Sequence, residues 1–124
     1  MQGKGVIMNW YKGNIHTHTN KSDGDEDPIK VTEWYKTHEY DFLVLTDHNH
    51  RTILDYGKTI KASELPLMIP GEEVTVNVQN NNTTVPVHIN GIGIERVIEP
   101  IQGNNVVSTI QANINSIREA AAGR

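Results

Sequence analysis

Apolar and polar positions change rhythm along this chain in short blocks, and each rhythm predicts an element. Gly13-Asn14-Ile15-His16-Thr17-His18 alternates with period two and reads as a short strand. A polar loop rich in Asp and Gly follows, from Asn20 to Asp27. Asp27-Pro28 then has the form of a helix start, a capping side-chain oxygen ahead of a proline at the first helical position. Val31, Trp34 and Tyr35 recur at i, i+3 and i+4, which predicts one buried stripe on a helix ending near His38 to Tyr40. The continuous apolar run Phe42-Leu43-Val44-Leu45 suits a strand covered on both faces. A weaker helix is expected over about Thr52 to Ala62, interrupted by Gly57. Leu67-Met68-Ile69 opens a third strand, expected to turn at Pro70-Gly71 and resume through Val74-Thr75-Val76. Gln79 to Thr84 reads as an exposed turn, and Val85-Pro86-Val87-His88-Ile89 as a fourth strand whose proline places it at an edge or bulge. A last helix is expected from about Asn105 to Ala122, with Val107, Ile110, Ile114, Ile117 and Ala121 on its apolar stripe and Gly123 as its cap.

This order argues an α/β fold with right-handed crossovers and a largely parallel sheet. Four strands and one closing helix would leave a sheet edge bare, which natural folds avoid. Residues 1–124 are therefore read as a single incomplete domain, with self-association through the bare edge as one way to cover it.

Composition narrows the function classes. Apolar residues make up 36% of the chain and charged residues 21%, so the chain is neither disordered nor membranous. No apolar run approaches the ~20 residues of a membrane helix, and the first ten residues have no apolar signal core. A cytoplasmic home is compatible with this. The absence of cysteine rules out disulfides and thiolate metal sites. A net charge of -4 with no Lys/Arg cluster argues against a nucleic-acid partner.

The six histidines are where the chemistry lies. His16 and His18, at i and i+2 of a strand, point to one face and can reach one metal ion, although two half-exposed strand histidines give the same pattern. Asp23, in Ser22-Asp23-Gly24, is either a ligand or an Asx-turn residue. His48 follows the apolar strand, where α/β folds place their sites. Its neighbour Asp47 suits either an orienting carboxylate or a cap, and His50 either a substrate contact or an exposed loop residue. Of the adjacent Glu72 and Glu73, alternation sends one inward and leaves the other solvated. A buried carboxylate needs a cation, and a metal supplies one. His88 lies on the polar face of its strand, and His38 is a surface residue suited to a helix C-terminus. Together His16, His18, Asp23, His48, Glu73 and His88 form a cysteine-free N/O ligand set suited to Zn²⁺, Mn²⁺ or Fe, and too large for one tetrahedral ion.

These residues resemble a known family. Asn14-Ile15-His16-Thr17-His18-Thr19, Ser22-Asp23-Gly24, Leu45-Thr46-Asp47-His48-Asn49 and Gly71-Glu72-Glu73-Val74-Thr75 are similar to the first half of the PHP (polymerase and histidinol phosphatase) domain. Trp10-Tyr11-Lys12-Gly13 and His88-Ile89-Asn90 are most similar to its CehA/McbA-like metallohydrolase branch. The resemblance implies about half of a distorted seven-stranded β/α barrel with up to three divalent ions in a complete domain. It implies His16 and His18 on one ion, Asp23 and His48 on a second, and Glu73 bridging the first to a third that His88 holds. The family's later N-H-P and D-x-H motifs are absent from this sequence. The implied activity is hydrolysis of a small-molecule phosphate ester by metal-bound hydroxide, with Asp47 or His50 assisting proton transfer. Carboxylic ester or carbamate hydrolysis is an alternative, as is a non-catalytic metal-binding half-domain or interaction module. A polymerase-type proofreading nuclease is disfavoured by the acidic balance.

Overall fold

A computed structural model of the chain describes residue 5 and residues 7–55 and 61–121. It is mixed α/β, with one four-stranded sheet in the order β1-β2-β3-β4. The strands are β1 (Gly13–Asn14), β2 (Phe42–Leu45), β3 (Leu67–Asn80) and β4 (Thr83–Ile92). Helix α1 (Pro28–Thr37) joins β1 to β2, and α2 (Val106–Ala120) follows β4. No helix among the described residues is long and apolar enough to cross a membrane.

β1, β2 and β3 pair in parallel, whereas β3 and β4 form an antiparallel hairpin. The largely parallel sheet expected from the order of elements is thus corrected at its longest ladder. Asn81, at φ +55°, lets a two-residue turn reverse the chain there. The expected turn at Pro70-Gly71 is also corrected, because β3 runs through it unbroken. Pro70 sits where the strand exchanges partners, pairing with Leu45 of β2 just before Gly71 begins the ladder with β4. Its missing N–H falls at that handover. Gly71 is needed there because a Cβ would lie 2.3 Å from Val44 Cγ1.

Only Gly13–Asn14 of the expected first strand is paired as a strand. The pairing resumes at Thr17, whose carbonyl accepts from Thr46 N at 2.7 Å. The expected helix over Thr52–Ala62 is absent from residues 51–55, and Ala62–Glu64 is a single 3-10 turn. Gly57 and the rest of that stretch lie outside the described residues, as does Gly123. Leu54 and Leu65 instead pack with Leu43 and Leu45 into one core, flanked by Ile29, Val31, Tyr35 and Met68.

α1 begins as its sequence predicts, with the Asp27 side chain accepting from Ile29 N. Of its expected stripe, Val31 and Tyr35 pack against the core around Leu43 and Leu45, whereas Trp34 is exposed and stacked on His38 and the fully covered positions are Pro28 and Thr32. α2 departs further from its apolar pattern. Val107 and Ile110 face outward, and Thr109 and Asn113 are fully buried. The cause is the irregular segment leading into the helix. Asn113 accepts from Ile101 N and donates to Ile101 O, and Thr109 accepts from Gly103 N, so polar side chains serve backbone groups that no strand does. A second core of Val74, Ile94, Ile98 and Ala120 joins β3 to the segment between β4 and α2 and to the last turn of α2.

Candidate metal centre

Four chain segments meet at one place. Beyond β1, Thr17 and Thr19 are buried and His16 and His18 point to the opposite side, as period-two alternation requires. Beyond β2, His48 bridges in parallel to Glu73 of β3. Within the hairpin, Thr75 is paired with His88 and Glu73 with Asn90.

The structure brings all six expected ligand residues together, in three overlapping groups: His16, His18 and Glu73; His18, Asp23 and His48; His48, Glu73 and His88. Glu73 is the hub. Its side chain is 6% exposed, and its partners are all imidazoles. Oε2 lies 3.1 Å from His16 Nε2, 2.9 Å from His18 Nε2 and 3.6 Å from His48 Nδ1. Oε1 lies 3.1 Å from His88 Nδ1. His16 Nε2 and His18 Nε2 are themselves 3.0 Å apart.

This donor set fits a divalent ion. Protons can serve only some edges of the His16–His18–Glu73 triangle, whereas a cation takes a lone pair from each corner. Edges near 3 Å allow one ion with bonds of ~2.0–2.2 Å to reach all three atoms. Across the hairpin from Glu73, Asn90 Oδ1 is buried and has no hydrogen-bond partner among the described residues. That oxygen is an acceptor awaiting a donor beside the cluster. Asp23 is different, being 68% exposed; it lies 3.3 Å from both His18 Nδ1 and His48 Nε2. A neutral imidazole has one lone pair, so His18 serves either the Glu73 group or the Asp23 group, and the three groups do not fill independently.

Asp47 does not face this cluster with a free oxygen. It is fully buried; Oδ1 accepts from Thr19 N and Ser22 Oγ, and Oδ2 from the Thr19 and Thr52 hydroxyls. Burial pushes its pKa up. The bonds from Thr52, the Thr19 backbone, Ser22 and the Thr19 hydroxyl outweigh that and hold the carboxyl below its ordinary value. These four bonds make Asp47 a bracket that ties the Asp23 loop to the end of β2. Gly24 completes the fit of that loop, since a Cβ would lie 2.8 Å from the His18 backbone. His50 is exposed and belongs to none of the three groups.

Both members of the Glu72-Glu73 pair are buried, which corrects the expectation that one would be solvated. The second face of β3 is covered by the segment carrying Ile94 and Ile98, and Glu72 Oε2 accepts from Ile98 N at 2.8 Å. Oε1 has no partner among the described residues. Burial, opposed by the Ile98 bond and reinforced by the Glu99 charge, raises the Glu72 pKa above its ordinary 4.5. The stability this group lends is therefore present below pH 4.5 and lost as pH rises through its folded value. Glu72→Gln, which does not titrate, is expected to gain about 1 kcal/mol on the wild type at pH 8. Urea melts at pH 5 and pH 8 check this, and an advantage that shrinks with rising pH would refute it.

Two residues with structural influence on the site were not singled out as candidates from the sequence. Thr75 places its hydroxyl 2.6 Å from His48 Nδ1, and Asn49, at φ +51°, pairs its amide with the Thr75 backbone. The asparagine after Asp47-His48 was the available signal, since this residue tolerates the left-handed region. Beside the cluster lies a cleft of about 600 Å³ whose lining includes His16, His18, Val31, Trp34 and Tyr35.

No protein-family model matches the sequence, and no curated protein matches it significantly.

Proposed function

We propose that this chain is a metal-dependent hydrolase of the PHP type, forming part of the seven-stranded barrel and acting first on small-molecule phosphate esters. The observation that carries the reading is the buried Glu73 carboxylate with four imidazoles around it and no Lys or Arg partner among the described residues. His16, His18 and Glu73 would hold one ion, and His48, Asp23 and His88 would serve its neighbours. Zn²⁺, Mn²⁺ and Fe all suit imidazole and carboxylate donors. Such ions supply Lewis acidity and activate water for attack at neutral pH.

The remaining chemistry belongs to the chain. Sets of two histidines and one glutamate, as in two of the three groups, are typical of catalytic sites that keep a position open, whereas structural sites are closed by four ligands. The half-open side chain of His16 reaches the cleft, whose size suits the body of a small ester. Asp47 keeps the Asp23 loop in place, and exposed His50, two residues beyond His48, is available to exchange protons with solvent.

The test is turnover of p-nitrophenyl phosphate, a phosphodiester and a carboxylic ester by protein loaded with Mn²⁺ or Zn²⁺. Phosphate-ester turnover is expected, falling by at least ~10²-fold in His16→Ala. Turnover of the carboxylic ester alone would move the reading to that reaction. Bound metal with no turnover would leave a metal-binding module instead.

A further inference from the structure

We propose that Thr75 is the positioning residue that decides which ring nitrogen His48 offers to an ion; the inference deepens the metal-binding reading above and rests on it. The Thr75 hydroxyl lies 2.6 Å from His48 Nδ1, 3.1 Å from His88 Nδ1 and 3.3 Å from the Glu73 carbonyl oxygen. A hydroxyl has one proton and two lone pairs. Given to the Glu73 carbonyl, that proton leaves both lone pairs to accept N–H from the two imidazoles. His48 then carries its proton on Nδ1 and its lone pair on Nε2, which lies 3.3 Å from Asp23 Oδ2. The opposite tautomer would aim the lone pair at Nδ1, 3.6 Å from Glu73 Oε2 and already against the hydroxyl.

The backbone that carries this hydroxyl is fixed relative to His48. Thr75 N donates to Asn49 Oδ1 at 2.8 Å, and Thr75 O accepts from Asn49 Nδ2 at 3.0 Å. Asn49 N also donates to Glu73 O at 3.0 Å. One asparagine therefore pins the backbone just after His48 to the strand that carries Thr75, and the ring and its partner move as a unit. Ligating histidines generally hold their second nitrogen in such a bond, and losing that partner weakens metal binding ~10–100-fold. Here the partner is a hydroxyl shared between two imidazoles, so one substitution releases both His48 and His88.

Long-range ¹H–¹⁵N spectra of the histidine rings test this on metal-free protein and on protein loaded with Zn²⁺. The wild type is expected to show His48 as the single tautomer protonated on Nδ1. Thr75→Val should lose that signature and bind Zn²⁺ ~10–100-fold more weakly with an unchanged far-UV spectrum, and Thr75→Ser should restore both. A wild-type His48 protonated on Nε2 overturns the proposal. So does Thr75→Val with wild-type spectrum and affinity, or Thr75→Ser behaving like Thr75→Val, which would assign the role to the methyl group. The metal-free wild-type spectrum decides the tautomer even where Thr75→Val does not fold. Protein that takes up no Zn²⁺ defeats the metal-binding reading, and the metal-free spectra still judge Thr75.

Discussion

Glu73→Gln is expected to weaken binding of Zn²⁺ or Mn²⁺ by more than ~100-fold, beyond the range that losing an outer partner of a ligand costs. Glu73 belongs to two of the three donor groups and contacts all four clustered histidines. Glutamine keeps the shape but removes the charge and turns one oxygen into an N–H donor, which repels a cation and takes the carboxylate from His16 and His88, leaving Asp23 beside His18 and His48. Titration against a chromophoric chelator measures the effect. A Glu73→Gln protein that binds as tightly as wild type would mean that the ion sits with His18, Asp23 and His48.

The second large effect is on stability. Asp47→Asn is expected to cost about 2–4 kcal/mol at pH 7, because the Thr19 backbone N–H and three hydroxyls were donating to one ionised carboxylate. The amide keeps one acceptor, and its NH₂ must face groups arranged to donate. Asp47 titrates below its ordinary 3.8, so the stabilisation is fully present above that pH and is lost as pH falls through the folded value. The gap between the two proteins should accordingly be widest near neutrality and close in acid. Chemical denaturation at pH 7 and in acid measures it, and an equal gap at both would show that the charge is not the cause. Metal affinity should fall as well, by ~10–100-fold, since the same bonds hold the Asp23 loop.

Much of the site was legible because its residues obey short-range rules. His16 and His18 share a face by strand periodicity, Asp27-Pro28 starts α1, and Phe42–Leu45 is a strand with its original bounds. What could not be read depends on what covers each face. Glu72 looked solvated because nothing in its neighbourhood announces that Ile98, twenty-six residues on, will cover it. Pro70-Gly71 carries a turn signal, yet it serves a strand changing partners, with the glycine chosen by contact with Val44. In α2 the first part of the apolar stripe, Val107 and Ile110, faces outward because backbone groups at Ile101 and Gly103 claim the inner face for Asn113 and Thr109. Ile117, further along, packs against the second core. Asp47 was seen as chemically active for a related reason. Its position at a strand end is typical of a working residue, and no local pattern announces the four donors that make it hold the Asp23 loop.

On the reading proposed above, Glu73 and its histidines hold a divalent metal ion. Metal content per chain by plasma mass spectrometry, on protein purified without chelator and equilibrated with Zn²⁺, Mn²⁺ or Fe²⁺, tests it most directly beside Glu73→Gln. Roughly one or more equivalents are expected in the wild type and almost none in the variant. Wild-type protein that stays metal-free in all three would contradict it.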